Sequence, residues 1–387
     1  MNRKQFTILI AALVLLGGLV WALKQRDQAS WTQSESRVGQ TLLKDFSVNN
    51  VASIRIKNAY TELNLVKKDD LWRVKERGDY PANFASISDL LLKIQDQKII
   101  QSDAITAEQR PQLELVEPGK GSSGGTLIEL SDVSGKTLAK LTLGKRYMRT
   151  GQGGVAIPAG RYVMVSGDDN NAALINEALL DSEPKPDIWI SRDFVRIDKI
   201  KSIELRAQDG SPQWKMFREK EGADWQLSDA KPGDDFDKSR GVSATNAISS
   251  LNFVDVVTIN KTLDTGMATP KTVVVETFDS LIYTLRIGNE SSDDNQYIAV
   301  AVSGEAAKER IAASDEKPED KARLDKDFKD RQTKLEARLK REKSLTPWTY
   351  ITPKWRLDPL LKDRAGLMMQ KQNAEAPKLT PINPKVK

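Results

Sequence analysis

The sequence predicts an α+β protein of two similar tandem domains, each mostly antiparallel sheet with helices, behind one N-terminal transmembrane helix. Three observations predict it. Short stretches of alternating apolar and polar residues recur along the chain, in the period of a strand with one buried face. Their order is repeated once, so that the chain is written twice. A single uncharged apolar run stands near the N-terminus, and no later stretch of the 387 residues matches it.

The duplication sets the domain plan. "NVASIRIKNAYTELNLV" at 50–66 and "KIKSIELRAQDGSPQWKMF" at 199–217 each read as strand, polar turn, strand. Next come "DDLWRV" with Trp72 and "GADWQL" with Trp225. Then "ANFASISDLLLKIQDQKI" matches "VSATNAISSLNFVDVVTI". In the first of these, Phe84, Ile87, Leu90, Leu91 and Ile94 fall on one helical face, with Asn83 or Ser86 as the cap. Ile248 and Leu251 take equivalent places in a shorter second helix. "LTLGKR" ends one strand and "LRIGNE" its counterpart. The shared Gly144 and Gly288 read as turns leaving a strand. Tyr162 is paired with Tyr350, and a closing helix is expected after each. Each copy then runs roughly β-β-β-α-β-β-β-β-α. The domains are placed at 43–182 and 195–370, joined by a Pro-containing linker at 183–194 with Pro184 and Pro186.

The apolar run "FTILIAALVLLGGLVWAL" at 6–23 carries no charge; as a helix its length is about 27 Å, enough for the bilayer hydrocarbon. Trp21 stands where an interfacial aromatic belongs. No small-x-small cleavage site follows, so residues 1–30 read as an uncleaved anchor with its flanks. Arg3 and Lys4 give a slight positive-inside bias that puts the N-terminus in the cytoplasm and the bulk of the chain outside it.

The two copies differ most at 305–345, where more than half of the residues are charged. Strong helix formers after Pro318 predict a long helix with a thin apolar stripe of Leu324, Phe328, Leu335 and Leu339. It reads either as a solvated helix held by charge pairs or as an arm that docks on a partner through the stripe. Changing Leu335 and Leu339 to Glu is expected to spare the fold and weaken a complex. The tail at 371–387, rich in Pro and Lys, reads as disordered.

Composition narrows the chemistry. There is no Cys and no His, which excludes disulfides, thiolate nucleophiles, Ser-His-Asp triads and the usual zinc sites. The 59 basic residues are interleaved with 54 acidic ones, so the net charge of +5 describes a salt-laced surface and no nucleic-acid partner. "LTLGKRYMRTGQGGVAIP" at 141–158 resembles a phosphate grip, but strand-like residues follow it, where a phosphate cradle needs a helix N-terminus. Lys145, Arg146 and Arg149 remain as a basic loop facing anionic lipid or a partner. Asp168 to Asn171 lacks the spacing of a calcium loop and reads as a helix cap. The acidic stretches at 233–237 and 291–296 read as turn and cap residues, and "GSSGG" at 121–125 as a flexible loop. The rings of Trp72, Trp189 and Trp225 read as core. No cofactor or metal is expected.

The anchor, "SIRI", "LWRV" with the helix after it, "LTLG" before a hairpin and the late "WTYITPKWRLDPLL" together resemble a bacterial membrane-anchored family, domain of unknown function 4340. The resemblance covers most of 43–370. Members are often encoded beside an ABC-type ATPase, its permease and an auxiliary protein similar to gliding-motility components. The resemblance thus implies a non-catalytic accessory or scaffold subunit of the bacterial inner membrane, single-pass, with its bulk in the periplasm. It supplies no catalytic residues, and the long charged insert departs from the plainer family pattern. The rival expectations are an extracytoplasmic binding module for a carbohydrate or lipid, using exposed aromatics, and a carboxylate-based hydrolase, needing two facing acids in a cleft.

Overall fold

A computed structural model describes residues 37–119, 124–258, 263–305, 309–310 and 316–369. The anchor at 6–23 and the tail at 371–387 lie outside these residues. Among the described residues no helix is long and apolar enough to cross a membrane. The described residues divide into two compact units, one ending at Ser191 and including Thr258, the other formed by the remainder.

The first unit is a nine-stranded sheet with strands β1 (Ser53–Lys57), β2 (Glu62–Lys68), β3 (Leu71–Val74), β4 (Tyr80–Pro81), β5 (Ile99–Ala104), β6 (Thr126–Ser131), β7 (Thr137–Thr150), β8 (Ala156–Val165) and β9 (Asn171–Ile175). Their order is β4-β3-β2-β1-β6-β7-β8-β9-β5, with every pair antiparallel. Alternation in β1 and β2 puts Ile54, Ile56, Leu63 and Leu65 in the core and their neighbours outward. Helix α1 (Phe84–Asp96) starts at Asn83, whose side chain accepts from the amides of Ala85 and Ser86. It buries Ile87, Leu90, Leu91 and Ile94. Phe84, expected on that face, is 67% exposed, because the first helical position lies beyond the last turn that covers the core. Residues 39–42 run beside β5, with the Leu42 amide donating to the Gln97 carbonyl at 2.7 Å.

The second unit repeats the plan with eight strands: β10 (Ile200–Arg206), β11 (Pro212–Phe217), β12 (Gln226–Leu227), β13 (Asp255–Val256), β14 (Lys271–Thr277), β15 (Leu281–Ser291), β16 (Asn295–Gly304) and β17 (Thr349–Pro353). Their order, β12-β11-β10-β14-β15-β16-β17-β13, is that of the first sheet without β4. Helix α2 (Lys238–Ser249) is capped by Asp237, the last residue of the acidic stretch at 233–237. Gly241 lies on its buried side, where an added Cβ would come within 2.4 Å of the Trp225 ring. The tryptophan is packed onto the helix as a core ring.

Several expectations are corrected. The residues "NAALI", expected to begin a closing helix, form β9 instead. They lie between β8 and β5 with four of five side chains buried, and a short continuous apolar run has no period to separate strand from helix. In the second copy the closing segment is only short turns of helix, Lys354–Leu357, Asp358–Leu360 and Ala365–Leu367. Tyr162 does not match Tyr350. It lies on β8 and corresponds to Tyr297 on β16, whereas Tyr350 on β17 takes the place of Ala173 on β9. Asp168 caps no helix; it turns the chain from β8 to β9, its carboxylate accepting from Asn171 Nδ2 at 2.6 Å. Residues 183–191, expected as linker, pack within the first unit: Pro186–Trp189 is one helical turn, Trp189 is buried and its carbonyl accepts from the Asn83 amide.

Gly144 and Gly288 leave no turn either. Each sits inside a long strand at a β-bulge. A Cβ on Gly144 would lie 2.2 Å from the Leu113 carbonyl oxygen, and one on Gly288 would lie 2.0 Å from that of Thr265. A loop backbone crosses both strands there, so only a residue without a side chain fits.

Candidate functional site

The charged insert departs from the second sheet between β16 and β17 as helix α3 (Pro318–Lys343). Pro318 opens it, Glu319 and Asp320 stand in the first turn, and Lys340, Arg341 and Lys343 in the last, each sign matched to the helix dipole. Asp320 and Arg323 pair at 2.8 Å, and Arg323 and Asp327 at 3.7 Å, on its exposed face. Such pairs keep a polar helix in register but contribute little each.

The C-terminal end of α3 is fixed by a buried carboxylate. Glu342 is 1% exposed and accepts three hydrogen bonds: from the Tyr283 hydroxyl at 2.7 Å, the Arg196 amide at 3.0 Å and Arg338 Nε at 3.1 Å. Arg338 also donates to the Tyr283 hydroxyl at 2.7 Å and to the Arg196 carbonyl. Burial, and then the hydrogen bond to the Glu342 carboxylate, push the Tyr283 phenol above its ordinary pKa and hold it as a neutral donor. Leu339 is buried beside this knot.

One turn or more back from that anchorage, α3 and the β14–β15 turn enclose a groove of about 440 Å³. Phe328 and Leu335 from the helix, with Phe278 from the sheet, supply its apolar surface, all half-buried. Lys199 at the rim pairs with Asp279 at 3.0 Å. Arg331 and Lys334 make no ion pair among the described residues, and they leave the rim basic.

The predicted stripe therefore splits. Phe328 and Leu335 are brought together in the groove. Leu339 belongs to the packing that holds the helix, and Leu324 is half-buried away from the groove lining. The expectation that Glu at both 335 and 339 spares the fold is corrected for Leu339, where a carboxylate would be buried without a partner. Phe328 and Leu335 are the proper pair to test.

The basic loop lies on the β7–β8 ribbon. Lys145, Arg146 and Arg149 are exposed there, and Arg146 lines a pocket together with Arg161 from β8. Sequence reasoning missed Arg161. The signal was available: "RYV" at 161–163 matches "QYI" at 296–298 once Tyr162 is aligned with Tyr297.

Trp72, Trp189, Trp214 and Trp225 are all buried, whereas Trp355 is exposed. Among the described residues no cluster of three acidic side chains is placed to hold a metal. Among the described residues the carboxylates whose pKa is displaced are all displaced downward, Glu62 by its bond to Arg55 and Asp234 by its bond to Arg364, for example.

Two copies of one sheet plan, with Trp72 and Trp225 in matching places, are what the resemblance in the sequence requires. The family model described as "Domain of unknown function (DUF4340)" matches residues 72–270, more than half of the chain. The chain belongs to the DUF4340 family. The matched span runs from β3 of the first sheet to the residue before β14 of the second, so α3 and the groove lining other than Asp198 and Lys199 lie beyond it. Neither the curated proteins nor the solved structures contain a match to the chain.

Proposed function

We propose that this DUF4340 protein is a non-catalytic accessory subunit of an ABC-type membrane complex. It is anchored in the bacterial inner membrane through residues 6–23, with its N-terminus in the cytoplasm and both sheets in the periplasm. Its partners in this reading are the permease with its ATPase and a gliding-auxiliary-like protein.

The observation that carries the reading is the fixed arm. Glu342 locks one end of α3 to the second sheet, and the half-buried Phe328 and Leu335 beside it offer an apolar groove with a basic rim. A surface of that kind suits an extracytoplasmic protein segment with apolar residues flanked by acidic ones. The anchor raises the local concentration of the arm next to any membrane partner. A carbohydrate module stacks sugars on exposed rings, and the burial of Trp72, Trp189, Trp214 and Trp225 counts against it. A carboxylate hydrolase needs one acid held protonated near neutrality, and the downward displacements count against that.

The test is purification of the full chain in detergent after co-expression with its neighbouring genes. Recovery of permease and ATPase is expected, together with their loss from the double variant Phe328→Glu, Leu335→Glu at an unchanged melting temperature. Failure to recover either from the wild type overturns the reading. Undiminished recovery with the variant overturns the role of the groove.

A further inference from the structure

The two β-bulges occupy equivalent places, yet the side chains that serve them differ in charge. In the first sheet Leu143 pairs with Val163 and Arg146 with Arg161, with an extra residue on β7 between them. In the second Ile287 pairs with Ile298 and Glu290 with Gln296, with the same extra residue on β15. A bulge interrupts the ladder, so the carbonyl of its glycine needs another donor. Arg161 Nε donates to the Gly144 carbonyl at 2.9 Å. Gln296 Nε2 donates to the Gly288 carbonyl at 3.0 Å. A neutral amide therefore does the structural work, and the charge on Arg161 exceeds what the fold requires.

That charge is poorly compensated. Arg161 is 8% exposed, and its Nη1 makes only long bonds of 3.4 Å to the carbonyls of Ala178 and Leu179. Its Nη2 has no hydrogen-bond partner among the described residues. No carboxylate there lies within ion-pairing distance of Arg161 or Arg146; Glu114 acts on Arg161, and Glu183 on Arg146, only from farther away. Burial first, and then the charge of Arg146, pull the Arg161 pKa down to about 10, which still leaves it protonated at neutral pH. In the second copy the position of Arg146 is held by Glu290, which pairs with Lys354.

Both arginines line one pocket of about 300 Å³, with Asn58, Ser182, Glu183 and Lys185 on its wall. Glu183 and Lys185 neutralise each other at 2.7 Å. Two guanidinium charges are left over, the match for a dianion. The Asn58 side-chain oxygen is occupied by the amides of Tyr60 and Thr61, which leaves its amide nitrogen as a further donor. Guanidinium forks suit the oxygens of a phosphate.

We propose that Arg161 and Arg146 form a binding site for a phosphate monoester, carried on a soluble molecule or on a lipid headgroup. The second copy has lost or never acquired this site, and it supplies the control residues. Arg161→Gln installs the second copy's own residue and keeps the donor to Gly144. Arg146→Gln alters an exposed side chain and leaves the bulge untouched.

The test is calorimetric titration of the full chain in detergent or nanodiscs. Glycerol 3-phosphate probes the soluble source, phosphatidic acid in the disc probes the lipid source, and acetate and phosphatidylglycerol are the competitors. Saturable binding of one of the two monoesters is expected, and which one identifies the source. Each variant is expected to weaken it about tenfold or more, the worth of a charge-assisted bond. No saturable binding of either monoester overturns the proposal. So does equal binding of acetate or phosphatidylglycerol, or full affinity in both folded variants.

Discussion

The first and second units share a strand order but differ at two equivalent places. At one, β8 and β9 are joined by a tight turn of five residues after Val165; after β16 ends at Gly304 the second unit carries α3. At the other, the bulge is served by Arg161 in one unit and by Gln296 in the other. The difference teaches where a duplicated sheet is free to change. A hairpin end accepts an insertion because lengthening a surface connection costs little loop entropy. A bulge accepts any side chain that still delivers a donor to the glycine carbonyl. What neither copy changes is the glycine itself.

The largest expected effect breaks the insertion. Glu342→Ala leaves the Tyr283 hydroxyl, the Arg196 amide and the Arg338 guanidinium without their acceptor, at a cost of about 3–5 kcal/mol. Denaturant unfolding measures it, and faster amide exchange over Pro318–Lys343 localises it. If α3 were a free solvated helix, the substitution would cost almost nothing.

Next come the glycines. Gly144→Ala and Gly288→Ala each force a Cβ against a carbonyl oxygen that belongs to a crossing backbone, for about 3 kcal/mol each. Similar losses in thermal unfolding would show the two bulges to be equivalent. A harmless alanine at either place would separate them.

A smaller effect follows from pH. The raised pKa of Tyr283 makes its contribution fully present below the unfolded value of about 10, and lost as pH rises through the folded value. The alkaline limb of a stability profile is expected to fall from pH about 10 upward. Tyr283→Phe removes that part of the limb and costs about 1.5–3 kcal/mol at neutral pH, because Glu342 and Arg338 lose a partner.

The smallest effect has the opposite sign. Without phosphate, Arg161→Gln removes a buried, uncompensated charge and is expected to stabilise the protein by about 1 kcal/mol. A rise of a few degrees in melting temperature checks it, whereas a fall would mean that the guanidinium is needed structurally.

Much of the fold is legible in the sequence, for physical reasons that particular residues show. The alternation in "SIRI" and "ELNLV" matches the pleat, Asn83 matches a cap, and Pro318 matches the start of α3. Where the local signal is ambiguous, the reading fails. "NAALI" is buried on both faces and has no period, and Tyr350 offered a false partner for Tyr162. That misalignment hid Arg161, since the comparison with Gln296 appears only in the correct register. The thin stripe on α3 was visible, but not its division between groove and anchorage.

The sequence by itself determined the duplication, the antiparallel sheet plan and the long charged helix, because each of these is written in local periodicity and order; the family came from the resemblance of its motifs. Only the tertiary structure decided why Gly144 and Gly288 are glycines, which end of α3 is fixed, and that Arg146 meets Arg161. Those facts depend on backbone and side chains distant in the chain arriving at one point, and no local pattern carries that meeting.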